Sequence, residues 1–171
     1  MNTNIAAKFG DSFKKTGFDF FTCVPCGILA PLLKELEKDS TENKFLYVPR
    51  EDTALGLACG AWFAGRHPLI LMQNSGFGHS INSIASLIKP FRIPITFIIS
   101  MRGHLGKDSE ENLVMEKITE PILELLEIPS EVVNENNFES LTAWAFELNT
   151  RNESPAALLI TPELFGWSTQ E

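Results

Sequence analysis

Two thiols stand three positions apart in FTCVPCG (residues 21–27), and the spacing of Cys23 and Cys26 fits a redox pair or half of a zinc site. A redox pair needs its attacking cysteine at a helix N-terminus, where the dipole lowers the thiol pKa. Cys26, just ahead of a helical stretch, meets that condition in part, whereas Cys23 falls within or at the end of an apolar run. A zinc site needs more ligands, yet there is no second Cys-x-x-Cys and no His-x-x-x-His, and Cys59 stands alone in an apolar segment. Packing and a substrate-facing position are the other readings of Cys26, and all of them stay open at this point.

Three more segments carry chemistry. QNSGFGH holds Asn74, Ser75, Gly76, Phe77, Gly78 and His79, and its Gly-x-Gly resembles the opening of a dinucleotide fingerprint. Ile81 occupies the place of the third glycine and the first strand lacks the motif, which argues against NAD. The two glycines allow either close backbone approach to a flat or charged ligand or a plain tight turn. Glu51 follows Arg50 at the start of a predicted helix. It is either a first-turn acid that complements the helix dipole or a carboxylate placed for proton exchange with a ligand nitrogen. Arg50, Arg102 and Lys107 are cations for an anionic substrate or solvated surface groups; His79 and His104 lie in the same segments, and His67, before Pro68, reads as surface.

The elements that position these residues follow from periodicity. Ile5, Phe9 and Phe13 recur every four residues and predict a helix before Gly17. Strands are predicted over 18–24, 45–48, 69–73, 93–100, 131–133 and 156–160, and further helices over 27–37, 51–64, 78–88, 116–126 and 138–148, with a polar loop over 101–112. Such alternation is the signature of an α/β fold: an open, mostly parallel sheet of about six strands with helices on both faces. Ligands of these sheets sit outside the carboxyl ends of the strands, where CVPCG, VPRED, QNSGFGH and SMRGHLGKD all converge.

Composition narrows the function. The 171 residues, 44% apolar, can bury one sizeable core and predict a single domain. A net charge of −8 without a basic stripe argues against nucleic acid. The longest apolar runs fall far short of the roughly 20 residues a membrane span needs, and the start lacks a signal-peptide core, so a cytoplasmic protein is expected. An odd number of cysteines, three, argues against a disulfide framework.

Taken in order, DFFTCVPCGIL, PREDTALGLACGAWFAG, ILMQNSGFGHSINSIASL and IPITFIISMRGHLG resemble the pyrimidine-binding domain of thiamine-diphosphate enzymes. Within that superfamily the likeness is to the sulfopyruvate and phosphonopyruvate decarboxylases, and it runs over about residues 9–160. It implies that Glu51 hydrogen-bonds N1′ of the cofactor's aminopyrimidine and promotes the imino tautomer that activates the thiazolium, so that a small anionic 2-oxo acid yields an aldehyde and carbon dioxide. Asn74 to Gly78 would line the pyrimidine, with Cys26, Arg50, His79, Arg102 and His104 on the substrate side and His79 also able to protonate the enamine. The superfamily's Gly-Asp-Gly segment, which binds diphosphate and Mg²⁺, has no match; Gly10-Asp11-Ser12 lies in the first predicted helix. No metal ligand is therefore expected on this chain. The resemblance implies a diphosphate-binding β subunit that holds most of the Mg²⁺ contacts, in a dimer or an α2β2 or larger assembly. Cys26 stands where phosphonopyruvate decarboxylases tend to have Asp, and His79 where the family commonly has Asn. A non-catalytic partner domain of the same fold and a thiol oxidoreductase are the alternatives.

Overall fold

The computed structural model describes residues 3–38 and 44–168. In chain order the elements are α1 (Thr3–Thr16), β1 (Phe20–Cys23), α2 (Ala30–Glu37), β2 (Lys44–Tyr47), α3 (Glu51–Phe63), β3 (Pro68–Gln73), α4 (Asn74–Ser83), β4 (Thr96–Ser100), α5 (Glu110–Leu125), β5 (Ser130–Val133), α6 (Phe138–Asn152) and β6 (Ala156–Ile160). The six strands form one sheet in the order β2-β1-β3-β4-β6-β5, and every neighbouring pair is parallel. The expected open α/β sheet is present, wholly rather than mostly parallel.

Period-two alternation divides the sheet between two helix layers. Leu69 and Leu71 of β3, with Phe21, Ile98 and Leu158, meet α1, α2 and α6 through Phe9, Leu32 and Phe138. Ile70 and Met72, with Phe97, Ile99 and Leu159, meet α3, α4 and α5 through Leu55, Phe77 and Leu123. Strands β4 and β6 are buried throughout because helices cover both faces, which is why they read as continuous apolar runs. The edge strand β2 is largely exposed. No helix among the described residues is long and apolar enough to cross a membrane.

After β1 the chain turns to α2 in one layer, and after β3 it turns to α4 in the other. The carboxyl ends of β1 and β3 thus flank the topological switch point, where such sheets open a crevice.

Two boundaries differ in ways that matter for the site. The helix expected from residue 78 starts at Asn74, directly after Gln73, so the supposed glycine turn is the first turn of α4. Asn74 Oδ1 accepts from the Ser75 amide at 3.1 Å and supports that start. The helix expected from residue 116 starts at Glu110, since Ser109, Glu110 and Glu111 are polar for an N-terminal turn rather than for a loop. His67, expected at the surface, is half-buried with its ring 4.9 Å from that of Phe146.

Phe21→Ala, at a fully buried position of the sheet, is expected to cost about 3–5 kcal/mol in urea denaturation. Leu125→Ala, at a side chain 82% exposed, should stay within about 0.5 kcal/mol of the parent.

Candidate active site

Glu51 is delivered to the switch point by its own strand. The Val48 amide donates to the Cys23 carbonyl at 2.9 Å, Arg50 is extended, and Glu51 opens α3 with its side chain 15% exposed. Its carboxylate lies against the first turn of α4: a Cβ on Gly76 would come 2.2 Å from Glu51 Oε1. Glycine is required here by close approach, not by a left-handed backbone. Ser80 Oγ donates to the Gly76 carbonyl at 2.9 Å and ties this turn to the next. Among the described residues the Glu51 carboxylate accepts no hydrogen bond; His79 Nδ1 is 3.6 Å from Oε2, beyond hydrogen-bond distance.

His79 is flanked on its other side by Arg50, whose Nη2 lies 3.4 Å from Nε2. A guanidinium can only donate, so Nε2 accepts, and a neutral ring then carries its hydrogen on Nδ1, toward Glu51. Arg50 in turn donates to Asp52 at 2.8 and 3.1 Å, and those bonds hold the Asp52 carboxyl down at about 2. Asp52, Arg50, His79 and Glu51 thus form a row in which carboxylates close both ends.

A second group gathers across the crevice. Cys26 Sγ lies 3.0 Å from Ser100 Oγ at the end of β4, and Cys26 also lines a cavity of about 390 Å³ with Lys34 and Tyr47. Cys23 is fully buried, and its thiol is pushed up to about 12, first by burial and then by the Glu37 carboxylate. A thiol held protonated is a poor nucleophile, which counts against the redox pair. A larger cavity, about 550 Å³, lies at the amino end of β5 beside Glu120, Glu124 and Glu127 and touches neither Glu51 nor Cys26.

Arg102 is not the free cation expected. Its Nε and Nη2 donate to Asp108 at 2.5 and 2.6 Å, and its guanidinium lies 4.7 Å from the centre of the Trp167 ring. Asp108, 2% exposed, also accepts from the Gly103 amide at 2.9 Å, the Ser109 amide at 2.8 Å and Asn112 Nδ2 at 3.2 Å. Arg102, foremost among these donors, holds the Asp108 carboxyl well below the usual carboxylate range. The fully buried Asn74 donates from Nδ2 to the Arg102 carbonyl at 2.8 Å and links this loop to α4. His104 Nδ1 stands 3.9 Å from Glu116.

The structure therefore brings Glu51, Gly76, His79 and Arg50 into one group, sets Cys26 with Ser100, and joins Arg102 to α4 through Asn74. Ser75, exposed, accepts from Gln73 Nε2 at 2.6 Å. Of the two further residues expected to line a cofactor, Phe77 is fully buried in the core, and a Cβ on Gly78 would come 2.7 Å from Met115 Cε. Both sit on the inner side of α4 because the helix begins four residues sooner than its glycines indicated. The sequence reading missed Asp108, Ser100 and Trp167. Arg102-Gly103 followed by an acid was a usable signal for Asp108, and nothing marked Trp167.

Fold and site together define a doubly wound α/β domain whose switch point presents a carboxylate, Glu51, that accepts no hydrogen bond among the described residues. The same fold occurs in the 2-oxoglutarate:ferredoxin oxidoreductase of Magnetococcus marinus, with a TM-score of 0.67 at 15% identity over 96% of this chain and 29% of that one. No family model matches the sequence. The chain is 40% identical over 147 residues to sulfopyruvate decarboxylase subunit alpha of Methanococcus maripaludis, covering 85% of this chain and 87% of that one, and it belongs to that subunit's family. Phosphonopyruvate decarboxylase of Streptomyces viridochromogenes is 35% identical over 123 residues, which are 71% of this chain and 31% of that one.

Gly76→Ala should fold, because alanine favours a helix interior by about 1 kcal/mol, but its Cβ must displace the Glu51 carboxylate. A crystal structure of the variant is expected to show Glu51 swung away from α4.

Proposed function

We propose that residues 1–171 form the single pyrimidine-binding domain of a thiamine-diphosphate-dependent decarboxylase, the α subunit of an enzyme that converts sulfopyruvate to the corresponding aldehyde and carbon dioxide. The observation that carries this reading is the Glu51 carboxylate, pressed on Gly76 at the switch point with its acceptor positions unused among the described residues. Family membership sets the reaction class. The donor set fits the cofactor's pyrimidine end: a carboxylate for a ring nitrogen, and a cradle that one added Cβ would fill.

Thiamine diphosphate, when bound, supplies the electron sink that lets a 2-oxo acid lose carbon dioxide. Glu51 holds and exchanges a proton at N1′ of the pyrimidine. Gly76 leaves room for that carboxylate, and Asn74 fixes the helix turn that bears Gly76. His79, 52% exposed on its side chain, carries a proton on Nδ1 between solvent and Glu51 Oε2, and it is our candidate proton donor to the decarboxylated product.

On the substrate side we place Cys26, His79 and His104. Arg50 and Arg102 add positive potential, although each is already paired with a carboxylate. Cys26 and Ser100 present uncharged polar atoms, which spare a dianionic substrate the like-charge repulsion that an Asp would bring. The likeness to sulfopyruvate decarboxylase subunit alpha over most of both chains, rather than this charge effect, favours sulfopyruvate over phosphonopyruvate.

We assign the diphosphate and Mg²⁺ to a β subunit in a cytoplasmic α2β2 or larger assembly. The outer face of α3 supports a partner. Gly56 and Gly60 are exposed, and a Cβ on either would touch nothing, so packing within the chain does not account for glycine. Close approach of another surface does. Leu57 and Phe63 on the same helix are 39% and 72% exposed, and Val114 on α5 is 64% exposed.

The test is reconstitution with the diphosphate-binding subunit, thiamine diphosphate and Mg²⁺. Aldehyde is expected only from the mixture, and faster from sulfopyruvate than from phosphonopyruvate. The reverse ratio would reassign the branch, and no aldehyde from a verified complex would remove the decarboxylase reading.

A further inference from the structure

The loop after β4 carries two residues expected to face substrate, Arg102 and His104, yet its buried centre is Asp108. Asp108 accepts from one edge of the Arg102 guanidinium with both oxygens and from the backbone amides of Gly103 and Ser109, which fixes the peptide between residues 102 and 103 from one side. Gly103 has φ of +87° there, and a Cβ would come 2.4 Å from the Asn112 carbonyl oxygen, so the peptide is also confined sterically. On its other side, the Arg102 carbonyl accepts from Asn74 Nδ2, and Asn74 Oδ1 accepts from the Ser75 amide, one residue before Gly76. An unbroken path of hydrogen bonds therefore runs from Asp108 to the helix turn that receives Glu51. The far face of the guanidinium is covered by Trp167, whose Nε1 would lie 3.0 Å from a Cβ on Gly27, beside Cys26.

We propose that Asp108 is a positioning residue of this site: it makes Arg102 a strut instead of a substrate ligand and sets the Arg102 carbonyl where Asn74 needs it to seat Gly76 against Glu51. Asp108 touches neither cofactor nor substrate, and it acts through Arg102 and Asn74. Its effect on turnover rests on the reading of Glu51 given above; its effect on the first turn of α4 does not. The carboxylate's charge is essential to the role. Arg102 occupies both oxygens at once, and a neutral amide offers one acceptor where two are used.

The test compares Asp108→Asn with Leu123→Ala, a core truncation lower on α5, in the full chain and in its complex with the diphosphate-binding subunit. In nitrogen-15 spectra of the full chain, Asp108→Asn is expected to shift the Asn74 side-chain amide and the backbone amides of Ser75 and Gly76. Leu123→Ala should leave all three in place even where it lowers the melting temperature as much. In the complex, Asp108→Asn should weaken thiamine diphosphate binding and lower kcat by at least about tenfold, with KM for the 2-oxo acid within about twofold. Unshifted amides at residues 74–76 would overturn the proposal whatever the activity. A KM raised about tenfold at unchanged kcat would overturn it too, since Arg102 would then be a substrate ligand. If the amides shift while the parent complex turns over no 2-oxo acid, the positioning role stands and the assignment of Glu51 fails.

Discussion

The rest of this structure depends on the close approach of α3 to α4 at one point, where the Glu51 carboxylate rests on the bare backbone of Gly76. A carboxylate at a helix start is ordinarily solvated and complements the dipole. Here it is 15% exposed and faces the bare backbone of Gly76, and with no hydrogen bond accepted among the described residues it is held by packing and by the helix end. Such a group stays available as an acceptor. The parallel sheet makes the approach possible, because the crossover from β2 over β1 to β3 lays α3 beside α4 at the switch point.

Around this point, charge is balanced before any ligand arrives. Arg50 is closed by Asp52, and Arg102 by Asp108 and the face of Trp167. Pairing an arginine in advance reduces its pull on an anionic substrate but fixes its place, and fixed dipoles and charges need no reorganisation during a reaction. The Asp108 network is the more buried of the two and links three chain segments that are far apart in sequence. The Arg50 row is more exposed and holds the histidine whose Nδ1 faces Glu51.

Much of the fold was legible in the sequence because the strands that matter most are buried on both faces. Runs such as Leu69–Met72 and Ala156–Ile160 contain no polar residue, and that pattern has few solutions besides a helix-covered parallel sheet. The start of α4 was not legible. Glycines at 76 and 78 normally signal a turn, and only the tertiary contacts of Glu51 with one and Met115 with the other explain them inside a helix. Position alone left Glu51 open between a first-turn acid and a ligand-facing carboxylate, and the superfamily resemblance supplied its expected role, whereas neither signalled the engagement of Arg102. An arginine after a strand is equally consistent with a ligand and a strut, and SMRGHLGKD did not by itself mark its last residue, Asp108, as the partner that decides between them.

The proposed role of Glu51, as the carboxylate that meets the pyrimidine, is tested most directly by turnover of Glu51→Gln in the complex with the diphosphate-binding subunit. The variant keeps the shape of the side chain and forfeits only a first-turn charge, so its stability should stay within about 1 kcal/mol of the parent. Turnover should fall by at least about a hundredfold, the lower range for loss of a positioned proton-transfer group. Turnover close to that of the parent, in a complex that binds thiamine diphosphate, would contradict this role for Glu51.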